Sequence, residues 1–263
     1  MEFNHVKSYR PNHPNPQFLR ENYESLNGYW KFAFDEDDIG LLNHYELKFP
    51  KEFYQILVPF SYQSEINKKN IPYKQCDVIW YEKEIYIDSV KDNYLLKFFG
   101  CDYLTEVFVN GIYCGTNIGA YTEFDFDISK ALVLGNNKIT LRIVDKMLSN
   151  QLRGKQRWKK DNFTCFYKEF SGIYKDVILE KVNKNYILNF QIKGNYLESS
   201  INLNINVKND KFDFIKFIVS DREIEVSKEY IIEKTKLNST LKFNCPKPWD
   251  NDNPFLYDVT IQC

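Results

Sequence analysis

The sequence predicts an all-β chain of two sandwiches, a jelly roll followed by an immunoglobulin-like domain. Three observations carry that prediction. Apolar residues recur at every second position through most of the 263 residues, the period of a strand with one face in a core. No segment shows an amphipathic helical pattern longer than a turn or two. Turn chemistry separates the alternating runs, most plainly at Asn110-Gly111 between EVFV and IYCG, where a two-residue type I′ hairpin needs positive φ at both central positions.

The elements follow in order. Strands are expected at 29–35, 54–58, 79–88, 93–99, 105–109, 112–115, 121–128 and 173–181, then at 186–193, 213–220, 222–227, 239–245 and 255–262. Trp30 and Phe32 share one strand face and belong in a core, where a fully buried aromatic contributes roughly 2 kcal/mol or more. Pro59 ends the strand holding Leu57 and Val58, because it has no amide proton for the ladder. Ile139, Leu141 and Ile143 alternate with Lys138, Thr140 and Arg142, and Ile201, Leu203, Ile205 and Val207 alternate with Asn202, Asn204, Asn206 and Lys208. Between Val144 and Ile173 the alternation stops for nearly thirty residues, a loop length usually reserved for function or disorder. The polar stretch Lys181–Asn185 places the domain boundary near residue 183, giving domains 1–183 and 184–263. About nine or ten strands in the first suit a jelly roll, and about seven in the second suit an immunoglobulin-like sandwich.

Composition narrows the function classes. Hydrophobic residues make up 43% and charged residues 27%, as in a globular protein. Aromatic residues reach 17%, which suits β structure and also the stacking of apolar sugar faces on rings. The formal net charge of -1 gives no electrostatic case for nucleic acid or an anionic membrane; the dense basic run KQRWKK (Lys155–Lys160) reads as a loop. Six scattered cysteines without a CxxC pair, and three histidines at 5, 13 and 44, indicate reduced thiols and neither a zinc site nor a Ser-His-Asp or Cys-His catalyst. The polar, proline-containing start and the lack of any run of about 18 apolar residues lead to the expectation of a cytoplasmic protein without a membrane span. Neither a metal nor a cofactor is called for. The acidic run Asp35–Asp38 reads as a solvated turn, and Asp125 and Asp127 as the outward face of a strand that turns Phe124 and Phe126 inward.

Several blocks of the chain resemble glycoside hydrolase family 2. HPNPQFLRENYESLNGYWKFAFD (His13–Asp35) is similar to the opening of that family's sugar-binding domain, a proline-rich lead-in before a Leu-Asn-Gly-x-Trp strand. It is followed by ILVPFSYQSE (Ile56–Glu65), IWYEKEIYI (Ile79–Ile87), the segment from Leu96 to Ser129 and GNNKITLRIVD (Gly135–Asp145). RGKQRWK (Arg153–Lys159) and FYKEFSGIYKDVILE (Phe166–Glu180) resemble the long loop and closing strand, and PWDNDNPFLYDVTI (Pro248–Ile261) the last strand of the second, immunoglobulin-like domain. Gly119-Ala120-Tyr121 is similar to the family's Gly-Tyr-Thr turn, where a small residue lets the chain cross the sandwich edge.

The resemblance implies a retaining β-glycosidase, which uses two carboxyl groups about 5–5.5 Å apart. In the family both come from a (β/α)₈ barrel of about 250 residues, for which this chain leaves no room. The expectation is therefore a non-catalytic front portion, inactive alone, whose partners are a β-glycoside and a barrel in cis; a homo-oligomer stays open. The loop Asp145–Tyr167 is the best place for substrate contact. Arg153 and Lys155 offer charged donors, Gln156 both donates and accepts, and Trp158 or Tyr167 offers a ring; the alternative is that these residues only brace the loop against the barrel or lie on a mobile surface. At Phe166 the sequence departs from the family, several members of which carry an acidic residue there that meets the sugar or a bound ion. Galactosidase or glucuronidase specificity thus does not carry over. A stand-alone carbohydrate-binding module and a structural sandwich pair are the competing readings.

Overall fold

The computed structural model describes residues 12–15, 18–148, 150–208, 215–220, 225–230, 236–242, 244 and 246–262. It divides into two compact units, Met1–Lys181 and Val182–Cys263. The named strand pairs whose registers were traced are antiparallel, and the one helical element among the described residues is a 3-10 turn, Ser129–Ala131.

The first unit is the jelly roll. Its strands are β1 (Tyr23–Ser25), β2 (Gly28–Phe34), β3 (Tyr54–Val58), β4 (Val78–Ile87), β5 (Asn93–Phe98), β6 (Cys101–Asp102), β7 (Leu104–Val109), β8 (Ile112–Ile118), β9 (Phe124–Asp127), β10 (Gly135–Val144), β11 (Gly172–Ile173) and β12 (Val177–Val182). They form a four-stranded sheet ordered β1-β12-β5-β9, a six-stranded sheet ordered β3-β2-β4-β10-β7-β8, and the short pair β11-β6. Period-two alternation sends Trp30 and Phe32, Ile79 and Tyr81, Leu96 and Phe98, and Ile139, Leu141 and Ile143 into one core. The hairpin at Asn110-Gly111 has φ of 52° and 80°, the left-handed pair that the dipeptide requires. β3 ends at Val58, before Pro59.

In this unit sequence and structure differ in several places. The single strand expected over 173–181 is two, because Tyr174–Asp176 leave the β11 line before β12 begins. The strand expected from 121 starts at Phe124. The acidic run is not wholly a solvated turn: Asp35 is buried and accepts hydrogen bonds from the amides of Ile39 and Gly40 and from Trp80 Nε1, each at 2.9 Å. These bonds anchor the segment after β2 over a second apolar cluster of Ala33, Phe49, Val78, Trp80 and Phe108. Phe124 and Phe126 pack against the core while Asp125 and Asp127 are exposed.

The second unit is the immunoglobulin-like sandwich. Its described strands are β13 (Ile187–Asn195), β14 (Ser200–Val207), β15 (Ile215–Ser220), β16 (Glu225–Tyr230), β17 (Lys236–Lys242) and β18 (Asp258–Gln262). Two three-stranded sheets, β13-β14-β17 and β16-β15-β18, enclose Leu203, Ile205 and Val207 from β14 and Ile215, Phe217 and Val219 from β15. The expected strand over 222–227 begins at Glu225, and residues 221–224 lie outside the described set, as do Cys245 and Cys263. No helix among the described residues is long and apolar enough to cross a membrane.

Candidate functional site

The long connection from β10 to β11 is held by side chains that turn into the jelly roll. β10 is followed directly by Asp145, whose amide donates to Asp77 O at 2.9 Å and whose carboxylate lies buried. Its Oδ1 accepts from Gln151 Nε2 at 3.0 Å and Arg153 Nη1 at 3.2 Å, and its Oδ2 from Ser171 Oγ at 2.5 Å. Arg153 Nη1 also donates to Lys146 O at 2.6 Å. Both ends of the loop are thereby tied to one carboxylate.

A second carboxylate stands in the adjacent β6-β11 pair, where Asp102 is in register with Gly172. Asp102 Oδ2 accepts from Gln156 Nε2 at 2.6 Å, and that nitrogen lies 3.3 Å from Tyr121 Oη. Gln156 is fully buried, and its Oε1 accepts the Phe170 amide at 2.9 Å. Because the Phe170 N–H fixes which end of the amide is the oxygen, the NH₂ end faces Asp102.

Burial raises the Asp102 carboxyl to about 7, and the charge of Asp145 pushes the same way, against the Gln156 bond and Arg153. Burial also raises Asp145, opposed by Ser171, Arg153 and Gln151. Two carboxyl groups sharing a low-dielectric site disfavour simultaneous ionisation. Both carboxyl groups are therefore pushed above the ordinary carboxylate range.

A third cluster pins the outer half of the loop. Arg157 grips Glu169 with Nε on Oε2 and Nη2 on Oε1, and Tyr73 Oη donates to Glu169 Oε1 at 2.5 Å. Burial works to raise the Glu169 carboxyl, but the Arg157 and Tyr73 bonds outweigh it and hold it low. The main chain adds Arg157 N to Tyr167 O at 2.8 Å and Tyr167 N to Lys155 O at 2.9 Å. Trp158 meets Phe163 and Phe166 edge-to-face at centroid distances of 5.0 and 4.5 Å.

The five loop residues proposed from sequence therefore divide. Arg153 and Gln156 are buried and engaged inside the domain, and Trp158 packs on its own loop. Lys155 and Tyr167 are exposed beside each other on the paired loop strands. Sequence reasoning passed over Asp102, Asp145 and Tyr121, which the fold assembles from β6, the end of β10 and the turn before β9. The available signal was an acidic residue closing an otherwise apolar strand, as Asp145 closes ITLRIV. Phe166 belongs to the ring cluster with Trp158 and Phe163.

A jelly roll with a long loop pinned from within, followed by an immunoglobulin-like sandwich, defines the class: a modular pair of β-sandwich domains. The chain belongs to glycosyl hydrolase family 2, matching that family's sugar binding domain over residues 23–183 and a second family 2 domain over 184–263. It is 24% identical over 258 residues to a β-galactosidase of Streptococcus thermophilus, covering 93% of this chain and 24% of that protein. It is 30% identical over 193 residues to a putative β-glucuronidase of Formosa agariphila, covering 69% and 22%. Among solved structures, β-glucuronidases from an uncultured Clostridium and from Lactobacillus rhamnosus superpose with TM-scores of 0.70 and 0.71, each at 20% identity over 93% of this chain and 43% and 42% of theirs. The chain thus spans about a quarter of the curated relatives it matches and corresponds to their amino-terminal domains, without the barrel.

Proposed function

We infer that these residues are the framing domains of a retaining β-glycosidase that acts on terminal β-glycosides in the cytoplasm. The catalytic carboxyl pair belongs to a barrel that lies outside this sequence. In this reading the long loop reaches the barrel's substrate end, where the exposed Lys155 and Tyr167 meet sugar while the buried Asp102 and Asp145 hold the loop from behind.

One observation supports the reading above the others. The loop is fixed by buried carboxylates of its own domain at Asp145, Asp102 and Glu169, so its exposed groups are preorganised before any partner arrives. A loop serving only as a connection needs no such investment of buried charge, which costs several kcal/mol per ion when unpaired.

Assay of the 263-residue chain against aryl β-galactosides and β-glucuronides tests the division of labour. No aglycone release is expected, and the coding sequence beyond Cys263 is expected to continue into alternating strands and helices. Turnover by these residues alone would falsify the assignment.

A further inference from the structure

We propose that the outer face of the sheet β13-β14-β17, in the immunoglobulin-like unit, docks an acidic peptide segment in extended conformation, laid edge-on along β14. The inference rests on this face alone and does not depend on the glycosidase reading above.

Strand register sets three rows of side chains across the sheet. Lys193, Asn202 and Thr240 form one row, Gln191, Asn204 and Asn238 the next, and Asn189, Asn206 and Lys236 the third. All are exposed except the half-buried Asn202 and Asn206, while the alternate residues Leu203, Ile205 and Val207 enter the core. Asparagine is 27 of the 263 residues but takes five of these nine positions. It is depleted in strands, where β-branched and aromatic side chains fit the pleat better. A local preference overridden at successive outward positions of one strand is the pattern of a surface kept for binding.

The spacing identifies the guest. Side chains on one face of an antiparallel sheet repeat about every 6.8 Å, twice the rise per residue. One edge of an extended peptide presents the N–H and C=O of every second residue at the same interval. A carboxamide donates through its NH₂ and accepts through its oxygen, so Asn202, Asn204 and Asn206, in line on β14, can each take one such pair. Neighbours orient these groups. Asn206 Nδ2 donates to Asn189 Oδ1 at 2.5 Å, Asn204 Nδ2 to Gln191 Oε1 at 3.5 Å, and Asn202 Oδ1 accepts from Thr240 Oγ1 at 2.7 Å. Each bond uses one donor or one lone pair of a group that has two of both.

Charge selects the side chains. Lys193 and Lys236 stand on opposite sides of β14, and the exposed Lys242 follows one row beyond Thr240. None of the nine positions carries a carboxylate; Glu198 belongs to the turn between β13 and β14, where its amide donates to Asn195 Oδ1 at 3.2 Å. An edge-on peptide projects its side chains alternately to left and right, so acidic groups on both sides reach lysines. Like charge disfavours a second copy of the same face. The nine positions hold no ring, so a sugar or a nucleobase has no platform to stack on.

The test is an amide-resolved NMR titration of the ¹⁵N-labelled 263-residue chain at low ionic strength with a capped octaglutamate peptide, which self-repulsion keeps extended. A capped octaserine peptide supplies the backbone without the charge, and tetragalacturonate the charge without the peptide backbone. Saturable shifts are expected at residues 189–193, 202–206 and 236–240 with octaglutamate, and at least tenfold weaker binding with the other two. Lys193→Glu combined with Lys236→Glu should weaken octaglutamate binding at least tenfold. Asn204→Thr should weaken it about two- to fivefold and leave the denaturant midpoint of the unit unchanged or higher, because threonine prefers strands; it decides the matter if the lysine variant does not fold. Absence of saturable shifts on this face, octaserine or tetragalacturonate binding as tightly as octaglutamate, or parental affinity in the variants would overturn the proposal.

Discussion

In the immunoglobulin-like domain the asparagines of β14 stay on the outer face, where Asn206 reaches Asn189 at 2.5 Å and Thr240 reaches Asn202 at 2.7 Å, while the alternate positions carry only Leu203, Ile205 and Val207 inward. The jelly roll is built on the same alternation, yet it takes Asp102, Asp145, Arg153, Gln156 and Glu169 inside. One domain uses its polar side chains to keep strands in register and soluble. The other uses them to hold an irregular loop that no ladder can hold. Burying such groups is costly unless they are partnered, and nearly all of their polar atoms are, Arg153 Nε being an exception.

The comparison breaks most sharply at the largest apolar side chain of the second core. Phe217→Ala should cost about 3–5 kcal/mol, lower the denaturant midpoint of the immunoglobulin-like unit, and do so equally across pH. A strongly pH-dependent loss, followed by hydrogen exchange in β14 and β15, would contradict an all-apolar core.

Arg153→Met addresses the jelly roll. It leaves Asp145 without its cation and should cost about 3 kcal/mol, confined to the first unit. The loss should shrink as the pH falls, because burial already raises Asp145 and a proton can replace the missing charge. Exchange protection of the loop amides of Phe170 and Ser171 reports it directly. An unchanged loop would show that Arg153 does not brace it.

Asp102→Asn sharpens the contrast with opposite sign. The folded-state value of about 7 lies above the ordinary 3.8, so the folded chain binds the proton more tightly and Asp102 withdraws stability as the pH rises from about 4 through about 7. The asparagine keeps an acceptor for Gln156 without the charge. The variant should match the parent in acid and exceed it by up to about 4 kcal/mol above neutrality; equal stability at both ends would mean that the carboxyl is not raised. Glu169 runs the other way, since its carboxyl is held low: its contribution is present above the ordinary carboxylate value and disappears as the pH falls through its lowered one.

Much of this was legible in the chain itself. Ile139, Leu141 and Ile143, the Asn110-Gly111 hairpin, Trp30 and Phe32, and the stop at Pro59 are local facts: side-chain period, φ preference and a missing amide proton act over a few residues and need no distant partner. The break in alternation after Val144 marked the loop for the same reason. The divided strand at Tyr174–Asp176 and the burial of Asp35 were not legible, because each depends on what another segment supplies, Gly100 in one case and Trp80 in the other.

The same division runs through the site. The sequence by itself determined which segment is irregular and which donors and rings it carries, because those follow from composition and spacing. Only the tertiary structure decided that Arg153 and Gln156 turn inward while Lys155 and Tyr167 stay outside. That choice was made by Asp145 and Asp102, one residue past the end of β10 and on β6, whose buried carboxylates recruit whatever donors the loop can bring within reach. Burial is a property of the assembled fold, and it alone sets which polar group must find a partner.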